Sequence, residues 1–256
     1  MNNRTTAIIA ALLLLAVHVF GQKESELPAP TFIVGVSHDN VFGFYPSVYG
    51  SFGVKENLSF TFYGTLWTNP SFGNIQTGTD SWLETGFGLG ITPGDGKWYL
   101  NPTLAFTHGK LLSGGAQGVI GDGIAPSFTT LYNDETLELE AFGIWYKALR
   151  KEGFSTYDYA LYWLLPGFHI NEHISAGLHY EGFVLTRSTN ADPETQYQMV
   201  GGYLKFTPGQ RFAFRLSFGK NFKKDLYPDE FYKLNLVIPL LELVGDLASG
   251  EKTPLF

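Results

Sequence analysis

The chain of 256 residues contains no cysteine and only two methionines. Without thiols it can build no disulfide scaffold, no thiolate-ligated zinc or iron–sulfur centre and no cysteine nucleophile. Charge is scarce as well. Asp, Glu, Lys and Arg make up 16% of the chain, against about 25% in an ordinary soluble domain. The net charge of −7 lacks the basic stripe that a phosphate backbone requires, so no nucleic-acid partner is expected. Past the N-terminus no apolar run approaches the roughly 18 residues of a helical membrane span. Aromatic residues, by contrast, equal the charged ones at 16%. That balance is foreign to a soluble globule.

The N-terminus reads as a targeting segment. Arg4 provides a basic start, residues 7–17 are an unbroken run of Ala, Ile, Leu and Val, and Val19 and Gly21 place small residues at the spacing of a cleavage site. The expectation is a signal peptide over residues 1–21, cut before Gln22, with a periplasmic lead-in over 22–30. The apolar run is short for an uncleaved anchor.

From Thr31 onward the dominant period is two. Leu58, Phe60, Phe62 and Leu66 share one face and Ser59, Thr61, Tyr63 and Thr65 the other. Phe212, Phe214, Leu216 and Phe218 alternate with Arg211, Ala213, Arg215 and Ser217, and Tyr232, Leu234 and Leu236 with Lys233 and Asn235. Each such segment is a strand with one apolar and one polar face. About twelve of them fit between residues 31 and 240, most near ten residues long, which is the length a tilted strand needs to cross a hydrocarbon layer. Pro46, Pro102, Pro126, Pro166 and Pro239 fall within or beside them and each removes a ladder donor.

The connections sharpen this reading. Tight turns at 55–57, 93–97, 133–135, 171–172 and 208–210 alternate with longer loops at 69–80, 109–119, 151–156, 187–194 and 221–229. The link at 39–41 is the one short exception. Short turns at one rim and longer loops at the other mark an outer-membrane barrel, whereas a soluble sandwich gives no reason for the alternation. The expected fold class is all-β: a closed antiparallel up-and-down transmembrane β-barrel of about twelve strands, residues 31–240, followed by a C-terminal tail at 241–256. Closure is required because an open edge would leave unpaired N–H and C=O groups in lipid. The expected location is the bacterial outer membrane, with its lipid as the surrounding partner.

The stretches Phe62-Tyr63-Gly64-Thr65-Leu66-Trp67-Thr68-Asn69 to Thr77-Gly78-Thr79-Asp80, and Leu100-Asn101-Pro102 through Ser113-Gly114-Gly115, with the terminal Phe256, resemble an uncharacterised family of small bacterial outer-membrane β-barrel proteins. The resemblance covers most of the mature chain. It implies the barrel fold and brings no activity with it. Barrels of this class end in a strand with a final aromatic residue. Here the last alternating strand stops near Leu240, so the tail departs from that pattern.

Three constellations invite a catalytic or ligand reading. His169-Ile170-Asn171-Glu172-His173 matches an inverted zincin motif, but that chemistry needs both rings on one helix face, and Asn171-Glu172 is a turn between strands. Gly86, Gly88 and Gly90 alternate on a strand with no helix behind them, which fits close packing better than a phosphate cradle. Ser175, His179 and Glu181 share the polar face of one strand, yet residues four apart on a strand are about 13 Å apart. No enzyme, cofactor or metal is expected. A lipid-modifying enzyme is the least favoured alternative.

Parity assigns to the lumen Glu84, Glu138, Glu140, Asp158, His179, Glu181, Lys205, Arg211, Arg215 and Lys233. Acids sit on the earlier strands and bases on the later ones, so the two signs face each other across the barrel. That pattern supports a narrow passive pore for small polar solutes. The alternative is a non-conducting structural or surface-recognition barrel using the loops at 69–80 and 109–119, with the same charges tied in a salt-bridged plug. Twelve strands lie between filled and open barrels, so strand number does not choose. Outward Trp98 and Tyr132 are expected at the periplasmic rim, and outward Phe44, Tyr157 and Tyr159 at the external one, as girdle aromatics. Leu216 is expected to face lipid, and Ser217 a hydrated lumen that tolerates a charge.

Overall fold

The computed structural model describes residues 27–68, 81–209, 212–223 and 227–240. The expected signal peptide, the tail at 241–256, the loop at 69–80 and Arg211 lie outside the described residues. Twelve strands form in chain order: β1 (Thr31–Asp39), β2 (Gly43–Lys55), β3 (Leu58–Trp67), β4 (Trp82–Ile91), β5 (Trp98–Gly109), β6 (Val119–Asn133), β7 (Leu137–Ala148), β8 (Tyr157–Asn171), β9 (Ile174–Ser188), β10 (Glu194–Phe206), β11 (Ala213–Asn221) and β12 (Glu230–Pro239). Every strand pairs antiparallel with its sequence neighbours. β1 closes the ring on β12 through a ladder from Ile33↔Pro239 to Asp39↔Lys233.

The period of two fixes which side each residue takes. Paired residues share a face, so Thr65↔Glu84 points inward while Leu66↔Leu83 points outward. The outer surface carries exposed Phe60, Phe87, Leu89, Leu104, Leu164 and Val200, among many other large apolar side chains. An apolar belt of this extent on a closed sheet belongs in lipid. Phe214 on this belt is exposed and Thr61 on the inner face is buried.

The prolines interrupt the ladders locally. The β4–β5 ladder skips from Gly88↔Thr103 to Ile91↔Leu100 around Pro102. The β6–β7 ladder skips from Ile124↔Lys147 to Ser127↔Ile144 around Pro126, and β8–β9 skips from Leu164↔Tyr180 to Gly167↔Gly177 around Pro166. Each missing N–H removes a ladder bond without displacing the register. The tight turns are pinned by side chains. In the β6–β7 turn, Asp134 accepts the Thr136 and Leu137 amides at 2.8 Å and the Tyr132 hydroxyl at 2.5 Å. The Tyr132 bond, with the two amides behind it, lowers the Asp134 carboxyl to about 2.

One girdle aromatic is placed differently from expectation. Tyr159 stacks on Phe183 at 4.8 Å and packs against the interior cluster. The cause is an irregularity between Asp158 and Tyr159, where the pairing with β9 jumps from Arg187 to Leu185. A bulge reverses the parity that alternation alone would assign.

Candidate functional site

The lumen concentrates the buried charges and aromatic rings of the described residues, and its two halves differ. At the long-loop end, external in outer-membrane barrels, it is filled. The connection between β1 and β2, residues 40–42, turns into the barrel rather than lying on its rim. Val41 and Phe42 are both buried. The Phe42 ring sits 5.2–6.4 Å, centroid to centroid, from the rings of Trp67, Trp82, Phe183 and Tyr197, which come from β3, β4, β9 and β10. Gly43, at φ 70°, takes the left-handed conformation that returns the chain to β2.

Asp39 holds this turn. Its carboxylate accepts the amides of Val41 at 2.9 Å and Phe42 at 2.6 Å and the Tyr45 hydroxyl at 2.8 Å. Lys233 lies 3.5 Å from Asp39 and 2.5 Å from Glu181. Glu181 also accepts the Tyr197 hydroxyl at 2.7 Å, with His179 Nε2 at 3.0 Å. One buried ammonium is thus shared between two buried carboxylates, and the remaining lone pairs are met by hydroxyl, amide and imidazole groups, as a buried ion pair requires. Glu84, across the lumen, is satisfied differently. Tyr63 and Tyr146 hydroxyls donate to it at 2.6 and 2.8 Å and the Trp67 indole at 3.1 Å, and no cation among the described residues lies within ion-pair range.

A second loop folds inward from the same end. Asp122 accepts the amides of Leu112 at 2.8 Å and Ser113 at 2.9 Å, and Leu112 is fully buried. Tyr227, from the β11–β12 connection, packs on Tyr197 at 5.3 Å. Asp39, Val41, Phe42, Tyr45 and Asp122 were not singled out by the sequence reading. The available signal was the run Asp39-Asn40-Val41-Phe42-Gly43, an Asp two and three residues before amides it can cap, followed by Gly.

The short-turn half is polar and more open. Tyr49 on its wall is 45% exposed, and Ser51, Asn101, Thr103, Ser127 and Thr129 face the same space in partly exposed positions. Here the expected charges pair across the barrel: Lys205 with Glu138 at 2.5 Å and Arg215 with Glu140 at 2.6 Å. The Tyr203 hydroxyl donates to Glu138 at 2.7 Å and the Trp163 indole to Glu140 at 2.8 Å. The acids of β7 and bases of β10 and β11 therefore cancel in pairs. Asp158 instead sits at the external end, bonded to its neighbour Arg187 at 2.6 Å and to the Ala148 amide at 2.9 Å.

One expectation, a hydrated Ser217, is corrected by this geometry, while the separation of Ser175 from His179 and of His169 from His173 agrees with the strand spacing. Ser217 is fully buried between Tyr203 and Lys233 in the ladder, its hydroxyl without a hydrogen-bond partner among the described residues, so it does not face open water. A cation placed there would meet Lys233. Ser175 pairs with His169 Nδ1 at 3.0 Å rather than with His179, and His169 Nε2 contacts Asn133 Oδ1 at 3.0 Å. His173 turns away to Glu172 at 3.5 Å, so His169 and His173 share no ligand position. Gly86 and Gly90 lie against the rings of Tyr63 and Tyr99, where a Cβ would come within 2.9 Å of ring atoms.

A closed twelve-strand antiparallel barrel with an apolar outer belt and a charged, aromatic lumen is a transmembrane β-barrel of the outer-membrane type. The chain belongs to a family of unknown function (DUF6733), which matches residues 1–240. Among solved structures it is similar to an outer membrane channel from Pseudomonas putida F1, with 12% identity and a TM-score of 0.52 over 86% of this chain and 98% of that one. It is likewise similar to the NanC porin, with 10% identity and a TM-score of 0.50 over 82% of this chain and all of that one. At such identities the likeness is one of fold. No curated protein matches the sequence.

Proposed function

We propose that the protein is a narrow outer-membrane channel for small polar solutes, held shut at its external half by the inward turn at residues 40–42. The observation that carries this reading is the asymmetry of the lumen. A polar, partly open periplasmic half ends against a sealed aromatic cluster whose centrepiece, Phe42, lies on a connection rather than on the wall. A residue on a three-residue turn held by one carboxylate can leave the lumen without unpairing any strand. The mouth then opens into the vestibule lined by Tyr49, Asn101 and Thr103.

A second reading, a permanently closed structural barrel, is favoured by the Lys233–Glu181–Asp39 network, which braces the interior across β12, β9 and β1. Planar-bilayer recording separates the two. Wild-type protein is expected to be silent or to flicker. Phe42→Gly, combined with Asp39→Asn to release the turn, is expected to give steady ion current. Continuous current from the wild type overturns the closure. A folded double variant that stays silent favours the structural barrel.

A further inference from the structure

The membrane face of the barrel carries a second feature, unrelated to the lumen. Where Pro126 interrupts the β6–β7 ladder, a shallow groove of about 440 Å³ opens across β6, β7 and β8. Its outward-facing lining is Pro126, Phe128, Gly143, Trp145, Ala160 and Tyr162. Gly143 and Ala160 supply no bulk, and a Cβ built on Gly143 would meet nothing within 4 Å. The groove is therefore apolar and left empty by the protein's own side chains, on a surface that faces lipid.

Its external end is basic. Two residues beyond Trp145 on the same outward face, Lys147 lies over the Trp145 ring, 5.2 Å from its centroid. The Trp145 indole is fixed by a bond to Thr186 at 3.2 Å. Arg150 and Lys151 continue the chain beyond the strand. Glu152 lies 3.8 Å from Arg150 and Asp158 is held by Arg187, so the four cations Lys147, Arg150, Lys151 and Arg187 outnumber the two acids of this sector. A half-buried lysine whose ammonium lies over an outward tryptophan, at the end of an unfilled apolar groove, matches an amphiphile with an anionic head and an acyl tail.

We infer that this groove binds a phosphate-bearing lipid of the external leaflet, with one acyl chain along Gly143 and Ala160 and a phosphate at Lys147 and Arg150. Charge complementarity at the end of the groove commits the site to a phosphorylated lipid rather than to a second barrel, since two copies would bring like charges together. Binding here is independent of whether the lumen conducts.

The test is native mass spectrometry of the full-length protein released from detergent micelles, titrated with diphosphorylated lipid A and with the same lipid stripped of its phosphates. Wild type is expected to retain the phosphorylated lipid, and Lys147→Glu to weaken it by about tenfold or more. Gly143→Leu, which fills the groove, is expected to weaken both lipids, and a distant lipid-facing variant, Phe218→Leu, neither. Heat-modifiable gel migration confirms folding of each variant, and Ala160→Leu serves if Gly143→Leu does not fold. Equal retention of the two lipids, or wild-type retention by Lys147→Glu and by the groove variant, overturns the site. Displacement of the lipid by millimolar inorganic phosphate would show that the basic residues bind an anion without the groove, which also contradicts it.

Discussion

At the long-loop end Phe42 touches rings from four strands and an ammonium is shared by two buried carboxylates. At the short-turn end a tyrosine stands half-exposed, and each ion pair keeps a partly exposed member, Lys205 or Glu140. The strands are the same; what differs is the length of the connections and what they do. Tight turns such as the one at Asp134 close the rim without reaching inward. At the other end, connections carry Val41, Phe42 and Leu112 into the lumen, each anchored by an inward carboxylate, Asp39 or Asp122. Filling comes from these connections together with the large wall side chains they pack against, not from the strand number.

The largest expected difference between the halves lies in their ion pairs. Lys233→Met strands Glu181 and Asp39 inside the sealed half and is expected to cost about 3–5 kcal/mol, the usual penalty for an unpartnered buried charge. Lys205→Met leaves a buried Glu138 that keeps its Tyr203 bond, beside a position where the lost ammonium was itself partly exposed, and is expected to cost less, about 1–3 kcal/mol. Guanidinium unfolding in micelles, followed by tryptophan fluorescence, compares the two. Equal costs would mean that the halves do not differ in solvation.

A second difference is expected between adjacent positions on β6. Phe128→Arg puts a charge on the lipid face and should cost about 2–4 kcal/mol, while Thr129→Arg enters the polar half of the lumen and should cost about 1 kcal/mol or less. The proportion of heat-modifiable species after refolding into vesicles reports both. Because the residues are neighbours, only a membrane-embedded strand of period two separates them. Ser217, the neighbour of Leu216, does not serve this purpose, since it lies within the packed interior.

The strands and their lipid face were legible because alternation is a local property, readable from Leu58–Leu66 or Phe212–Phe218 alone. Parity likewise placed Glu140 and Arg215 on the inner face. It could not match them, because their strands stand four apart on the ring and height along the barrel depends on stagger rather than on spacing. The plug was hidden for a different reason. Val41 and Phe42 are apolar residues between two apolar strands, and nothing local separates a rim aromatic from one folded inward. Tyr159 was misplaced by a bulge, which shifts parity without leaving a mark in the hydrophobic pattern.

The absence of cysteine makes the central comparison directly measurable. Single cysteines placed at Tyr49 and at Met199, in vesicles with the short-turn rim accessible, can be timed against a small water-soluble thiol reagent. A lumen open at one half and sealed at the other predicts rapid labelling of Tyr49→Cys and at least about a hundredfold slower labelling of Met199→Cys, as expected when reaction waits on a rare opening. Acceleration of the Met199→Cys reaction by Phe42→Gly would complete the account. Equal labelling of both cysteines in the otherwise unaltered protein would contradict it.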